Sequence, residues 1–472
     1  MENNIVVIYG YNYNCFPWRN NKNKSVYKTC GFVMKYGNNK YIISTRQKLI
    51  SCSDIIAYTF NKKKEELSRH ILTKIHHCIE TNLIIFQVTN EHFLKVKGFN
   101  IKNFEIPNKN SVYQIIKADL DLESITNQFN IHYYDGKYIK STIFEKTFVP
   151  RNYMYKYRIY GNNSEDNFTG SVIIKSNNII GISSIVMNKI HYVVPVKFIK
   201  KILDDYLYNS VNQLMQSGLT YLPFDYVVKE DVVLIPKQNK ISTLNGNKIM
   251  KENDILLSID GNKIIVKKND ALIFDQDLED FIPIDIYTMW NYKQNSILTV
   301  EIKRGDKIIL FDITGLKTTS SLNLTKLWED NYESAIPYYN LNGIIITWLT
   351  HELIDILISH DYIPSNYIIA SLFEGKINKL KDTLIIIDCL NNNLRHKYDL
   401  PTVKKKYLKN GVLNCHIIKN IGDFSVQNVK RLEDLDHLKT THYKIKLEIK
   451  SSVYKLINVR YLDTKIYLTL NY

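Results

Sequence analysis

The sequence predicts a mainly β protein built from three consecutive units. Segments of β-branched and aromatic residues, each ended by Asn, Gly or Lys clusters, recur at close spacing through residues 1–200, which is typical of a β barrel or sandwich. Ala, the best intrinsic helix former, occurs only five times in 472 residues, whereas Tyr occurs 34 times. At about 100–200 residues per domain, the length favours three domains.

The first unit, residues 1–212, contains nine predicted strands and a closing helix. The helix is predicted over 198–211 because apolar residues recur there at helical spacing, namely Phe198, Ile199, Ile202, Leu203, Tyr206 and Leu207. The strands are predicted at 4–9, 31–35, 41–44, 55–60, 82–88, 112–118, 171–174, 179–183 and 191–194.

Two α+β units are predicted to follow, over 213–318 and 319–472. In the former, an acidic turn at 252–254 leads into an apolar strand, and Asp260-Gly261 makes a tight turn after it. A hairpin is predicted over 296–313. The latter opens with a strand at 343–347 and a helix near 351–359, and further strands are predicted at 383–388, 444–450 and 453–459. The Thr- and Ser-rich segment 317–322 is the predicted linker.

Charge is concentrated in the first unit. Residues 1–200 hold 28 Lys and Arg against 14 Asp and Glu, whereas the remainder holds 34 against 33. A field of one sign attracts polyanions such as nucleic acid, and codon bias in an AT-rich genome, such as that of a large DNA virus or a protist, produces the same enrichment in Lys and Asn. Both interpretations stay open.

Neither a membrane span nor a secretory signal is predicted, since no apolar window reaches about 18 residues and the start lacks a basic, then apolar, leader. We therefore expect a cytoplasmic protein that makes no membrane contact. For a viral source, we expect it in the host cytoplasm or the virion.

The six cysteines form no CxxC pair, so free thiols in a reducing compartment are expected: Cys15, Cys30, Cys52, Cys78, Cys389 and Cys415.

Three short motifs in a fixed order resemble the Deg/HtrA family of trypsin-like serine proteases. They are Phe16-Pro17-Trp18, then Cys30-Gly31-Phe32-Val33 where the family has a Ser-Gly-Phe-Val-like strand, and Tyr192-Val193-Val194-Pro195 before the closing helix. The resemblance is greatest to plant- and fungal-type members with two PDZ-type domains. It implies a trypsin-like double β-barrel, a PDZ-type domain over 213–318 and a second one over 319–472.

The resemblance also implies that the catalytic triad is lost. In Ser44-Thr45-Arg46-Gln47, Gln47 stands where the family has its histidine, and an amide has no useful basicity near neutral pH. Asn82 stands where the family has the aspartate that holds the imidazole.

The serine position aligns with Thr169, or with Phe168 if the alignment slips by one residue, and neither restores a triad. Asn167 replaces a Gly of the oxyanion loop, near Gly170.

Another histidine could replace the lost base, and the candidates are His70, His76, His77 and His191. The run His76-His77-Cys78 also suggests a metal site, but it lacks a second spaced pair of ligands, so neither a metal nor another cofactor is expected.

The PDZ-type resemblance implies a carboxylate-binding loop at Gln216, Ser217, Gly218 and Leu219, where the family has Tyr-Ile-Gly and an apolar residue. Such a loop captures a peptide C-terminus while the peptide adds a strand to the sheet. Because Gln216 and Ser217 replace the two bulkier residues, peptide capture and a purely structural PDZ fold remain alternatives.

The leading functional hypothesis is a pseudoprotease that acts as a protein-binding scaffold within a homo-oligomer, as the family builds homo-oligomers. A residual endopeptidase that uses Thr169 is the enzymatic alternative. A polyanion-binding or virion structural protein, which would use the basic residues 1–200, is the third.

Overall fold

The computed structural model describes residues 4–12, 16, 18, 25–50, 52, 54–61, 66–78, 81–88, 93, 96–100, 105–122, 128–146, 149–159, 169–176, 178–208, 215–216, 219–293, 296–314, 316–318, 336, 338–349, 353–354, 357, 362–365, 383–404, 408, 412–421, 424–425, 432, 434–435, 442–450 and 453–460. Close contacts divide the chain into two compact units. The first comprises Met1–Ile8, Thr29–Arg46 and Ile56–Leu322, and the second comprises Tyr9–Lys28, Gln47–Ile55 and Asn323–Tyr472.

The first barrel is one sheet whose ends are joined by the chain itself. The strand order is β15-β6-β7-β3-β2-β1-β4-β5, and β8 pairs with β2. Only Leu72 separates β5 from β6; because β5 pairs with β4 and β6 with β7, this stretch closes the sheet. Its elements are β1 (Ile5–Asn12), β2 (Ser25–Tyr36), β3 (Asn39–Thr45), α1 (Arg46–Leu49), β4 (Asp54–Asn61), β5 (Glu66–Ile71), β6 (Thr73–Cys78), β7 (Leu83–Gln87), β8 (Phe99–Asn100) and β15 (Met215–Gln216).

The second barrel is closed in the order β10-β11-β14-β13-β12-β9. Aromatic rings fill its interior, with Tyr113 and Tyr157 in an edge-on contact at 5.2 Å between ring centroids. The helix α2 follows directly and buries its predicted apolar stripe from Phe198 to Leu203. The elements are β9 (Val112–Leu120), β10 (Phe129–Lys146), β11 (Val149–Ile159), β12 (Val172–Lys175), β13 (Asn178–Met187), β14 (Ile190–Pro195) and α2 (Val196–Tyr208).

An α+β subdomain over residues 219–318 completes the first compact unit. Its sheet buries an apolar core, and the predicted acidic turn is part of the structure, because buried Asp254 accepts two hydrogen bonds from Arg304 at 2.8 and 2.7 Å. The elements are β16 (Thr220–Tyr221), β17 (Val227–Lys229), β18 (Val232–Leu234), β19 (Asn239–Thr243), β20 (Gly246–Met250), β21 (Ile255–Ile259), β22 (Asn262–Lys263), β23 (Ile265–Lys267), β24 (Asp270–Asp275), β25 (Asp280–Pro283), α3 (Ile284–Asn291), β26 (Leu298–Arg304), β27 (Lys307–Ile313) and β28 (Lys317–Thr318).

The second compact unit combines an N-terminal segment with the C-terminal sheet. Trp18 donates a hydrogen bond from Nε1 to Oδ2 of the buried Asp388 at 2.7 Å, and Phe16 contacts the ring of Tyr362 edge-on at 5.4 Å. Phe16 and Trp18 therefore pack with residues more than 300 positions away. The elements are β29 (Tyr339–Leu341), β30 (Ile344–Trp348), β31 (Ile363–Pro364), β32 (Leu384–Cys389), α4 (Asn392–Tyr398), β33 (Val412–Leu413), β34 (His416–Ile421), β35 (Phe424–Ser425), β36 (His442–Lys450) and β37 (Val453–Arg460).

The mainly β fold class is confirmed, and each of the nine strands predicted in the first unit has an observed counterpart. In the first unit, sequence reasoning missed β5, β6, β10 and β11, which lack long apolar runs, and the two-residue strand β8. Of the predicted linker, Lys317–Thr318 form β28, and 319–322 lie outside the described residues. Within the described part of the chain, no helix has the length and apolarity to span a membrane.

Candidate functional site

The position of Gln47 is fixed by its neighbour in the chain. The helix α1 starts at Arg46, immediately after β3, and the backbone N–H of Arg46 donates to the carbonyl of Asn82 at 2.8 Å. This bond brings the start of α1 to the turn that precedes β7. The side chain of Gln47 lies outside the described part of the chain.

Asn82 occupies that turn with a backbone φ of 56°, in the left-handed region that Asn tolerates better than most residues. Its side chain is buried, and Nδ2 faces the carbonyl of Ser184 at 3.5 Å. Ser184 returns a hydrogen bond from Oγ to the carbonyl of Thr81 at 2.8 Å. The turn is thus fixed to the second barrel through an amide donor, a role that a carboxylate cannot fill.

Thr169 is brought to the same region through its backbone. Its carbonyl accepts a hydrogen bond from Oγ1 of Thr29 at 3.1 Å, and Thr29 Oγ1 lies 3.5 Å from Oγ1 of Thr45, two residues before Gln47. Thr29 therefore links the backbone at Thr169 to the end of β3, which is bonded to Asn82 through Arg46. Asn167 and Phe168 lie outside the described residues.

Gly170 fixes the turn after Thr169. Its φ is 84°, and a Cβ built there would lie 2.0 Å from the carbonyl oxygen of Cys30, which leaves no space for a side chain. Its N–H donates to the carbonyl of Ser183 at 2.8 Å, so this N–H is hydrogen-bonded within the second barrel.

Arg46 is the residue at this site that sequence reasoning missed. Its guanidinium is buried, and Nε donates to Nδ1 of the fully buried His77 at 3.0 Å. Because this bond uses the Nδ1 lone pair, the neutral ring carries its proton on Nε2. The signal in the sequence was a charged residue directly after the last residue of β3, one position before Gln47.

All four histidines named as replacement bases are buried, and burial lowers the pKa of three of them, His76, His77 and His191. Burial first, and then the positive charge of Arg46, hold the pKa of His77 well below its usual range. Burial lowers the pKa of His76 to about 3 and that of His191 to about 4. His70 shares a hydrogen bond with Thr59 at 2.8 Å.

One Ser–His pair does exist, between Ser183 Oγ and His191 Nδ1 at 2.9 Å. Both residues are fully buried inside the second barrel, so a substrate carbonyl has no access to this serine. No group of three or more His, Cys, Asp or Glu side chains in the described part of the chain is arranged to hold a metal ion.

The residues of the predicted carboxylate-binding loop lie between the first barrel and the α+β subdomain. Gln216 belongs to β15, which pairs in parallel with β6 so that Gln216 lies opposite His77. Ser217 and Gly218 lie outside the described residues, and Leu219 is fully buried. The next strand, β16, pairs antiparallel with β28.

The α+β subdomain is joined to the second barrel by buried polar and aromatic contacts. Lys197, at the start of α2, donates to both carboxylate oxygens of Asp275 at 2.9 and 3.0 Å, and both side chains are buried. Phe198 stacks on Trp290 with ring centroids 4.0 Å apart, and Trp290 Nε1 donates to Asn152 at 3.2 Å. These contacts hold the subdomain against the barrel.

Comparison with known proteins finds a full-length relative and distant structural neighbours. The chain is 29% identical over 460 residues to the uncharacterized protein R367 of Acanthamoeba polyphaga mimivirus, covering 92% of this chain and 93% of the relative. No family model matches. The HtrA-type protease AlgW with a decapeptide gives a TM-score of 0.44 at 8% identity, over 67% of this chain and 96% of that one. A serine endoprotease from Yersinia pestis gives 0.40 at 11% identity, over 67% and 94%.

Proposed function

We propose that the chain is a catalytically inactive relative of the Deg/HtrA proteases that acts as a protein-binding scaffold. The observation that carries this proposal is the Asn82 side chain, which directs an amide donor at the Ser184 carbonyl where a protease needs a carboxylate to orient its base. The buried, neutral state of His76, His77 and His191 supports it further.

The contacts between the second barrel and the α+β subdomain favour a fixed platform. The buried ion pair between Lys197 and Asp275 and the stack of Phe198 on Trp290 give the subdomain one defined position against α2. On such a platform, a partner peptide binds a preformed surface, so the entropy cost of ordering the protein on binding is smaller. Capture of a peptide C-terminus by Gln216–Leu219, and assembly into a homo-oligomer, belong to this proposal.

Hydrolysis of fluorescently labelled casein tests the absence of proteolysis. We expect the wild-type protein and the Thr169→Ala variant to give the same background rate. Cleavage that is lost in Thr169→Ala would instead establish the residual endopeptidase. Ser183→Ala serves as a control, because loss of activity in that variant alone would point to the buried Ser183–His191 pair.

Peptide binding and assembly need separate measurements. Fluorescence polarisation with a labelled peptide that ends in an apolar residue and a free carboxylate should show saturable binding, and the same peptide with an amidated end should bind at least tenfold more weakly. Sedimentation equilibrium should give a mass that is a multiple of the 55.4 kDa chain. Equal binding of both peptides would remove C-terminal capture from the proposal, and a monomer would remove assembly.

A further inference from the structure

The outer surface of the hairpin β10–β11 carries four cationic side chains on one face. Lys137 lies directly opposite Arg158, and Lys140 lies directly opposite Lys156. Lys137 and Lys140 are three residues apart, so alternation alone would place them on opposite faces of the strand. The register shift between Tyr138 and Lys140 inserts one residue and turns Lys140 onto the face of Lys137. We call these four residues the basic ladder.

The basic ladder is an arrangement that a strand pair does not favour by itself, because like charges directly opposite each other repel. Lys137, Lys140 and Arg158 are exposed, and Lys156 is half-buried. Within the part of the chain that the structure describes, none of the four forms an ion pair with a carboxylate. Asp135 is the nearest acidic residue along β10 and lies at the outer end of the ladder, opposite Gln114.

The surroundings extend the positive surface on the neighbouring strand β14. Lys156 pairs with Tyr192, and its ammonium lies 5.2 Å from the centre of that ring, which anchors one rung of the ladder. Lys189 is exposed in the turn before β14, and its carbonyl accepts from the N–H of Ile159, next to Arg158, at 3.5 Å. Further along the same face, Asn152 is covered by Trp290, so the ladder lies beside the α+β subdomain.

We propose that the basic ladder binds the phosphate backbone of a single-stranded nucleic acid. Lys156 and Arg158 are two residues apart on one strand face and therefore lie about 6.8 Å apart along the strand, so one flexible single-stranded backbone can contact both rungs. Arg158 supplies a planar fork that pairs with phosphate in two hydrogen bonds. The excess of 28 cationic over 14 anionic residues in residues 1–200 adds an attractive field that favours a long polyanion over a short acidic peptide. This activity does not depend on the scaffold function.

Binding of a fluorescein-labelled 20-nucleotide oligothymidine to the full chain tests the proposal by anisotropy between 50 and 300 mM NaCl. We expect log affinity to fall linearly with log salt. In the variant Lys140→Gln/Lys156→Gln, affinity at 100 mM should drop at least tenfold, and the slope should become shallower by about 1.4, since each lost phosphate contact removes about 0.7 for a single strand.

The matched control is Lys240→Gln/Lys263→Gln, which removes the same charge from exposed positions of the α+β subdomain. This variant should lose less than twofold in affinity and keep its slope. Equal losses in the two double variants would overturn the ladder as the site and leave only non-specific attraction. Competition by poly-glutamate as strong as that by unlabelled oligonucleotide would also overturn it, in favour of an acidic protein partner. Circular dichroism confirms that each variant is folded before binding is measured.

Discussion

Arg46 and His77, 31 residues apart in the chain, are joined by a hydrogen bond of 3.0 Å from the Arg46 guanidinium to Nδ1 of the histidine. Both side chains are buried, and Arg46 lies directly before Gln47 in the chain. A buried guanidinium needs hydrogen-bond acceptors, and a neutral imidazole accepts a hydrogen bond without placing a second charged group in the interior. The pair therefore has a structural role that keeps this histidine from acting as a base through Nδ1.

Replacement of Arg46 by Met should destabilise the protein by about 1–3 kcal/mol, because His77 Nδ1 loses its donor inside the barrel. The control is Arg69→Met in β5, an exposed position, where the change should stay within about 0.5 kcal/mol. Urea unfolding followed by tryptophan fluorescence measures both. An Arg46→Met variant as stable as the control would contradict the structural role of the pair.

The free energy of unfolding should decrease as pH falls from about 6.5 to about 4. An unfolded histidine titrates near pH 6.5, whereas burial lowers the pKa of His76 to about 3 and that of His191 to about 4 in the folded chain. Below pH 6.5 the unfolded chain therefore binds more protons, and stability falls as pH falls, by up to about 1.4 kcal/mol per pH unit for each histidine.

The test of this pH dependence is the slope of unfolding free energy against pH in His191→Gln and in His132→Gln. The former should have a shallower slope than the wild-type protein, because one buried histidine no longer titrates. The latter, at an exposed position, should keep the wild-type slope. Identical slopes in all three proteins would show that buried histidines do not govern acid stability.

Gly170→Ala should destabilise the chain by more than about 3 kcal/mol. The new Cβ would lie 2.0 Å from the Cys30 carbonyl oxygen, in addition to the backbone cost at a φ of 84°. Gly261 also has positive φ, 73°, but no atom lies within 4 Å of a Cβ built there, so Gly261→Ala should cost only about 1 kcal/mol. Thermal melting of the two variants separates the steric from the backbone contribution, and equal losses would contradict the close approach to Cys30.

Lys197→Met should cost about 3 kcal/mol or more, because the buried Asp275 would lose its charged partner. Lys200→Met, three residues further along α2, removes the ion pair between Lys200 and Asp204. The side chains of Lys200 and Asp204 are 39% and 30% exposed, so the loss of this pair should lower the free energy of unfolding by less than about 1 kcal/mol. Limited proteolysis adds a second measurement: Lys197→Met should be cleaved faster than both the wild-type protein and Lys200→Met. An unchanged digest would show that the subdomain stays attached without this ion pair.

The strands that the sequence predicted are those whose burial follows a simple apolar pattern, such as β7 with Leu83 to Phe86 fully buried. The long hairpin β10–β11 was missed because one face carries the basic ladder and the other carries tyrosines, so neither face forms an apolar alternation. The resemblance to the protease motif singled out Gln47, Asn82 and Thr169, and this assignment stays a prediction; the structure shows that Arg46 bonds to Asn82 and that Thr29 bonds to Thr169. Arg46 and His77 could not be predicted as a pair, since nothing in a sequence reports which side chains meet inside a closed sheet.

The contacts that build the second compact unit could not be predicted for a similar reason. The bond between Trp18 and Asp388 spans 370 residues, and neither local propensity nor periodicity predicts a contact at that separation. The sequence identified Phe16-Pro17-Trp18 only as a motif that marks the resemblance.

Covalent labelling with a fluorophosphonate probe, followed by mass spectrometry of the digested protein, tests the central claim most directly. The probe reacts with hydroxyl nucleophiles that are activated by a neighbouring base. The account predicts no adduct on Thr169 or Ser183 in the native protein under conditions that label trypsin completely. A stoichiometric adduct on Thr169 that requires the folded chain would contradict it and establish an active nucleophile.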